Sequence, residues 1–233
     1  MLGNIKRVVA QFWPIMLSYV PVGLACGVLE AKAGMTPWMA ALMAAGYLSG
    51  SGQFMMSNLW IAGLSIPSIA ASVATISTRF ALYSASLAPH LAGASKREQL
   101  AVTATLTEEA FGVSVEALAC DPTWTPALAF TLNFALLTTW AISCAAGCML
   151  GAAVDIPTAV AGFACTSLFI FLLFTQEPSR PNIAAALVAV LAVCLLKCVG
   201  ASGVAVPVGA VTGVVAALAV AAVLREGGAK RER

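Results

Sequence analysis

The chain is a succession of long apolar segments joined by short turn signals, and this pattern limits the fold more than any other feature. Most of the segments approach the roughly 20 residues that a helix needs to cross a bilayer. Their apolar runs are continuous and do not alternate, which disfavours a transmembrane β-barrel. The sequence therefore predicts an all-α, polytopic transmembrane helical bundle. The eight apolar segments are residues 8–29, 38–62, 67–91, 98–119, 126–152, 156–175, 182–198 and 203–224.

The number of spans depends on the last two segments, which are short and are separated only by residues 200–203. They predict either two spans or a single bent unit, so the bundle has seven or eight spans. Residues 1–224 are expected to form a single transmembrane domain, and residues 225–233 a short basic tail. With eight spans, both termini lie on the side that carries most of the Lys and Arg residues. The positive-inside rule places that side in the cytoplasm.

Composition excludes several classes of protein. Charged residues make up only 9% of the chain and hydrophobic residues 61%, whereas soluble proteins contain roughly 25% charged residues. The lipid bilayer is therefore the expected environment. The net charge of +2 is too small to indicate a nucleic-acid partner. No cofactor is expected.

The cysteines favour packing over metal binding. Cys144 and Cys148, like Cys194 and Cys198, are four residues apart, so each pair shares one helix face. No His accompanies either pair within its segment, and a structural zinc site of the usual kind is therefore disfavoured. Small apolar filling is the favoured interpretation, and no metal site is expected.

The second segment contains a cluster of helix-weakening residues at its centre, in residues 46–54. Each Gly weakens a helix by about 1 kcal/mol relative to Ala. In lipid, a broken helix survives only where its freed backbone groups face protein or a water-filled cavity. The cluster therefore predicts a Gly-rich broken helix that binds substrate; the alternative is an intact, closely packed helix. The predicted binding residues are Ser49, Gly50, Ser51, Gly52 and Gln53.

Arg79 is the only formal charge between Pro67 and Leu91. A charge near the bilayer centre costs roughly 2.5–3.5 kcal/mol on insertion scales, so something must compensate it. Glu108 and Glu109 in the fourth segment are the candidates. Adjacent helix positions point about 100° apart, so the two acids cannot both face Arg79.

One glutamate is therefore expected to pair with Arg79, and the other lacks a cation. Desolvation favours the neutral form of an unpaired acid. This makes Glu108 and Glu109 the predicted proton-coupling residues. The alternative is that the fourth segment borders the aqueous phase and that both acids are solvated.

Four glycine pairs with the spacing GxxxG lie within the apolar segments. This spacing lets helices approach closely, and packing within the bundle is favoured over a dedicated dimer motif. The pairs are Gly23/Gly27, Gly46/Gly50, Gly147/Gly151 and Gly209/Gly213.

Taken together, the motifs of the N-terminal half resemble the AzlC-like large subunit of bacterial branched-chain amino acid exporters. The resemblance covers residues 18–111, whereas the C-terminal half agrees in length and hydropathy alone. The motifs, in chain order, are Pro21–Gly27, Ser49–Phe54, Arg79 with Leu82–Pro89, and Thr107–Phe111.

The resemblance implies a multi-pass permease of the bacterial inner membrane. It also implies a small AzlD-like membrane subunit as a partner, and export of valine, leucine, isoleucine or related amino acids. The family's GxxQF element falls on Gly50 to Phe54, its mid-span arginine on Arg79, and its Thr-Asp-Glu triplet on residues 107–109. Tyr83, in the motif that follows the arginine, joins the predicted substrate site.

This chain departs from the family pattern at three places close to that site. Ser77 stands in place of Asn, Phe80 in place of His, and Glu108 in place of Asp. These departures bear on the identity of the substrate and leave the transporter interpretation in place.

The sequence thus predicts a secondary transporter subunit that exports small neutral, branched-chain-like amino acids in a proton-coupled reaction. An enzyme is disfavoured because the chain has no GxSxG motif, no metal-ligand cluster by spacing and no paired aspartates. The remaining alternative is a non-catalytic assembly subunit, in which the intramembrane charges hold a complex together.

Overall fold

The computed structural model describes residues 2–154 and 178–229, together with the isolated positions 163, 166, 167 and 170. Within these residues the chain forms helices and connecting turns, in agreement with the predicted all-α class. The predicted segment at 156–175 lies, apart from those positions, outside the described residues. The helices are α1 (Leu2–Lys32), α2 (Pro37–Gly46), α3 (Gly50–Ile61), α4 (Ile66–Ser77), α5 (Arg79–Leu87), α6 (Lys96–Ala104), α7 (Glu108–Cys120), α8 (Pro126–Ala153), α9 (Arg180–Cys198) and α10 (Ser202–Ala229), and a 3-10 helix at Ala88–Leu91 follows α5.

Hydroxyl side chains fix the starts of several helices. The side chains of Thr36, Thr107, Thr125 and Ser179 each accept a hydrogen bond from a backbone N–H in the first turn of α2, α7, α8 and α9. Such caps satisfy N–H groups that a helix start leaves open. Ser95 and Glu98 form a capping box at α6. The polar joins between the apolar segments therefore define helix boundaries.

Three described helices are long and apolar enough to cross a membrane: Gly3–Lys32 within α1, Pro126–Ala153 and Arg180–Cys198. By contrast, the second, third and fourth predicted segments each form two shorter helices. In the second segment, α2 ends at Gly46 and α3 begins at Gly50, so the predicted Gly-rich break is confirmed. The total of seven or eight spans stays a prediction.

The breaks in the third and fourth segments differ from the sequence prediction. Helix α4 ends at Ser77 and α5 begins at Arg79. Helix α6 ends at Ala104 and α7 begins at Glu108, so Glu108 and Glu109 occupy the first turn of a helix and do not lie in the middle of a long one. Thr107 caps α7, and acidic residues in a first turn are stabilised by the helix dipole.

Helices cluster into two units. The first unit comprises residues 1–61 and 77–167, and within it α1 packs along α8. A Cβ on Gly27 would overlap the Cys144 carbonyl, and a Cβ on Gly147 would overlap the Leu24 carbonyl. Glycine is therefore needed where the two backbones touch. We call this contact, with Gly23, Gly27, Gly147 and Gly151 at its centre, the seam.

Asn133 of α8 supports the break between α6 and α7. Its Nδ2 donates to the Val102 carbonyl at 2.9 Å and to Thr105 Oγ1 at 3.2 Å. Thr105 Oγ1 in turn donates to the Ala101 carbonyl at 2.7 Å. Helix ends leave carbonyls without intrahelical partners, and these side chains satisfy two of them. The break thus has side-chain hydrogen bonds in place of two that a continuous helix would make.

The second unit comprises residues 62–76 and 168–233. Helices α9 and α10 pack together in it as a hairpin, and Gly200 turns the chain with φ of 81°. A Cβ on Gly213 would lie 2.8 Å from the Ala185 carbonyl. The GxxxG pairs of α1, α8 and α10 therefore pack helices within each unit. Helix α10 continues to Ala229, beyond the start of the predicted tail.

Candidate functional site

The predicted polar residues lie where three short helices begin. Ser49 precedes α3, Arg79 is the first residue of α5, and Glu108 is the first residue of α7. Each start follows from local sequence: glycines and serines interrupt the second segment, and Thr107 caps α7. We call the cluster of Ser49, Ser51, Arg79 and Glu108 the junction.

Arg79 and Glu108 form an ion pair through Nη2 and Oε1. Their side chains are 22% and 10% exposed, so the pair is largely removed from solvent. The predicted pairing of Arg79 with one of the two glutamates is therefore present. A pair of this kind offsets much of the cost of taking each charge out of water.

Two serines of the broken helix complete the junction. Ser51 Oγ donates to Glu108 Oε1 at 2.7 Å, and Ser49 Oγ donates to the same oxygen at 3.1 Å. Arg79 Nη2 also contacts both serine hydroxyls. Ser49 Oγ accepts from the Gly52 backbone N–H at 3.2 Å and so caps α3 as well. The Gly-rich break thus binds the carboxylate that pairs with Arg79.

Arg79 retains an unused donor. Its Nε is buried and has no hydrogen-bond partner. A buried N–H without an acceptor is costly, and such groups are rare. The guanidinium therefore has the capacity to bind one further anionic group at the junction.

Glu109 points to a different partner, as the 100° rotation between adjacent residues predicts. Tyr19 of α1 donates its hydroxyl proton to Glu109 Oε2, and the same hydroxyl lies 3.1 Å from Thr107 Oγ1. Tyr19 is buried, with its ring edge-on to Trp140 at 5.6 Å between centroids. The sequence interpretation gave Tyr19 no role at the site. A phenol within an apolar span, which needs a polar partner, was the available signal.

Gln53, predicted to bind substrate, belongs to a separate buried cluster. Its Nε2 donates to Glu30 Oε1, and its Oε1 accepts from Trp140 Nε1 at 2.8 Å. Gln53 and Glu30 have no exposed surface. Glu30 lies just beyond the first predicted segment, residues 8–29, and the sequence interpretation did not single it out.

The remaining predicted residues shape the surroundings of the junction. A Cβ on Gly50 would lie 3.1 Å from the Trp140 ring, and a Cβ on Gly52 would overlap the Tyr47 ring. Both glycines therefore make room for aromatic side chains. Tyr83 stacks on Phe111 of α7, with ring centroids 4.3 Å apart and planes 13° apart.

One group of side chains has the chemistry and spacing to hold a metal ion. A sulfur from Cys26, a sulfur from Cys144 and a carboxylate oxygen from Glu30 all lie within 4.8 Å of one another. The sequence interpretation considered cysteine pairs within single helices and so did not bring these three residues together. Cys148 instead donates to the Met35 carbonyl at 3.3 Å.

Comparison with known proteins identifies the family of the chain. The chain is 25% identical over 187 residues to the inner membrane protein YgaZ of Escherichia coli (strain K12), which covers 77% of this chain and 76% of that protein. No solved structure matches the chain. The family model described as AzlC protein matches residues 14–154, which include Tyr19, the Gly-rich break and the whole junction. The chain is therefore a membrane protein that belongs to the AzlC family.

Proposed function

We propose that this protein is the transport subunit of a secondary transporter that exports small neutral, branched-chain-like amino acids across the bacterial inner membrane. Membership of the AzlC family and the likeness to an inner membrane protein support a transport-related role in the membrane. The single observation that carries the proposal is the Arg79–Glu108 pair, which two serines of a broken helix hold.

The junction has the chemistry to recognise a zwitterion. An amino acid needs one group for its carboxylate and one for its ammonium. Arg79 Nε–H has no acceptor, and the start of α3 presents backbone N–H groups with a positive dipole end. These donors suit the carboxylate. The carboxylate of Glu109 suits the ammonium, and the Tyr83–Phe111 stack offers apolar surface for the side chain.

Loading would couple substrate to protons through competition for Arg79. When a substrate carboxylate binds the guanidinium, Glu108 loses part of its counter-charge. A carboxylate that is largely shielded from solvent then favours its neutral form, because desolvation disfavours the charge. Glu108 would take up a proton on loading and release it when the Arg79 pair reforms. Glu109, hydrogen-bonded to Tyr19, is a second acceptor on the same helix turn.

A small AzlD-like membrane subunit is the proposed partner, as the family resemblance implies. Helices α9 and α10 carry many exposed large apolar side chains, which suits lipid or a second membrane protein. The two occupants are distinguished by co-purification of the subunits in detergent.

The decisive experiment is efflux of labelled valine, leucine, isoleucine, methionine and alanine from proteoliposomes, with and without an imposed pH gradient. The protein is reconstituted alone and with its small partner. We expect efflux of at least one amino acid, faster with the gradient than without it. Efflux that does not respond to the gradient would remove the proton coupling, and no efflux in either preparation would remove the transport function.

Matched variants separate transport from assembly. Arg79→Ala and Glu108→Gln should abolish efflux while the complex still forms. Arg97→Ala in α6 and Glu116→Gln in α7 remove the same charges outside the junction and should leave efflux unchanged. If Arg79→Ala instead dissociates the complex and spares the transport of any complex that remains, the protein is an assembly subunit.

A further inference from the structure

A carboxyl group is buried among thiols at the seam, where the proposed transport function gives it no role. Cys26 and Glu30 are four residues apart on α1 and therefore face the same way. Cys144 lies opposite them on α8, where Gly27 allows the two backbones to touch. All three residues have no exposed surface.

The thiols alone would be ordinary packing, but the carboxyl is not. Buried thiols behave as small apolar groups. Glu30 Oε2 is buried and has no hydrogen-bond partner. An unsatisfied carboxyl oxygen in an apolar interior is costly. A cation bound at this oxygen would supply the partner that it lacks.

The side-chain amide of Gln53 lies beside the three candidate ligands. The indole of Trp140 can only donate, so its hydrogen bond requires Gln53 Oε1 on that side. The amide nitrogen must then face the cluster, where it donates to Glu30 Oε1 and lies 4.0 Å from Cys144 Sγ. Second-shell donors of this kind orient metal ligands.

We propose that Cys26, Glu30 and Cys144 form a binding site for a thiophilic divalent cation of the Zn²⁺ class between α1 and α8. Sulfur ligands at about 2.3 Å from a tetrahedral ion lie about 3.8 Å from each other. The three donor atoms lie within 4.8 Å of one another, so contractions of up to about 1 Å complete the site. Thiolates select soft ions over Mg²⁺ or Ca²⁺.

The two thiolates of this site balance the charge of a divalent ion. On binding, the two thiols release their protons, and the two thiolates offset the two positive charges of the ion. Glu30 supplies a third ligand oxygen, and its carboxylate gives the occupied site one net negative charge, which the hydrogen bond from Gln53 Nε2 stabilises. Three protein ligands leave one position of a tetrahedral ion for water. An occupied site would hold α1 against α8 directly beside the start of α3.

The test uses Cd²⁺ as a spectroscopic probe on the purified, metal-stripped, full-length protein in detergent. Cys120, Cys165, Cys194 and Cys198 are first replaced with alanine so that other thiols do not contribute. We expect a single Cd²⁺ per chain, with the ultraviolet charge-transfer band of thiolate ligands. Absence of that band in a protein that elutes as a monodisperse peak overturns the proposal.

Single substitutions assign the ligands. Cys26→Ser and Cys144→Ser should each remove the band, and Glu30→Gln should weaken Cd²⁺ affinity by ~10-fold or more. Cys148→Ser is the matched control, since Cys148 lies one turn from Cys144 on α8, and the band should persist. A band that survives Cys26→Ser, or that Cys148→Ser abolishes, rejects this ligand set.

X-ray absorption of Zn²⁺ bound to the unsubstituted protein provides a measurement that no folding defect can obscure. Two sulfur neighbours with oxygen neighbours are expected. Fewer than two sulfurs, or no zinc retained after desalting, overturns the proposal. Neither result depends on transport, so failure of the metal site can be distinguished from failure of the proposed function.

Discussion

The seam and the junction both hold helices together, but they do so through different interactions. At the seam, two long helices close over glycines until their backbones touch, and the interface is almost without charge. At the junction, three short helices begin together: Ser49 caps α3, Thr107 caps α7, and Arg79 at the start of α5 pairs with Glu108. The seam is close-packed, and the junction depends on polar contacts.

This difference teaches where each part can change. A close-packed interface tolerates little change in sequence, because even one added methyl group would collide with the facing backbone. Under the proposed function, the polar contacts of the junction would be exchanged for contacts with a substrate or a proton. Substitutions should therefore damage the fold at the seam and the activity at the junction.

The largest effect on folding is expected from Gly27→Leu. The new side chain would collide with the Cys144 carbonyl and force α1 away from α8, at a cost of about 3 kcal/mol or more. The yield of monodisperse protein and the thermal midpoint in detergent should fall sharply. Gly112→Leu is the control, since a Cβ there meets nothing within 4 Å. Equal stability of the two variants would contradict close packing at the seam.

Arg79→Ala should abolish transport and destabilise the fold less than Gly27→Leu. Removal of the cation leaves Glu108 largely buried without its partner, which we expect to cost about 2 kcal/mol, given the partial exposure of the pair. Adding Glu108→Gln should recover most of the thermal midpoint without recovering efflux. A double variant that is as unstable as Arg79→Ala would show that the pair is not the cause.

Ser51→Ala should have a smaller effect. It removes one donor to Glu108 Oε1, which is worth roughly 1 kcal/mol, and should reduce efflux several-fold without abolishing it. Ser57→Ala is the matched control on the same helix, because Ser57 Oγ is buried and has no hydrogen-bond partner. An efflux rate that responds to Ser57→Ala as strongly as to Ser51→Ala would refute a specific role for Ser51.

The smallest effect is expected at the exposed ion pair between Arg7 of α1 and Asp121, which follows α7. Hydrogen bonds from Thr123, with a lesser contribution from Arg7, hold the pKa of Asp121 below its ordinary value of 3.8. A lowered pKa contributes stability above the ordinary value, and this contribution is lost as the pH falls through the lower pKa of the folded state. The small difference in thermal midpoint between the protein and Asp121→Asn should therefore be constant above about pH 5 and vanish in stronger acid. A difference that grows on acidification would contradict this sign.

The sequence alone predicted the features that depend on the residues of a single segment or on the pairing of opposite charges. The run of glycines and serines before Gln53 correctly predicted a break in a helix. In lipid, the backbone groups freed by such a break need protein or water as partners, so the break also indicated a polar site. Arg79 needed an anion, and the fourth segment offered acids, so the pair could be inferred before any coordinates. The divergence of Glu108 and Glu109 followed from helix geometry alone.

Features that rest on packing between distant segments were not predicted. Glu30, Gln53 and Trp140 come from three different segments, and only their packing brings the three side chains together. The break before α7 was not predicted, because the fourth segment is apolar enough overall to be predicted as one continuous helix. Thr107 followed by two acids was a helix-start signal, and hydropathy outweighed it.

The break between α6 and α7 is attached to a neighbouring helix through Asn133. Its amide is anchored on α8 and takes the carbonyl that α6 leaves open, so the bend does not depend on the charges beside it. Under the proposed transport cycle, a change in the Arg79–Glu108 pair would therefore leave the end of α6 attached to α8 through Asn133.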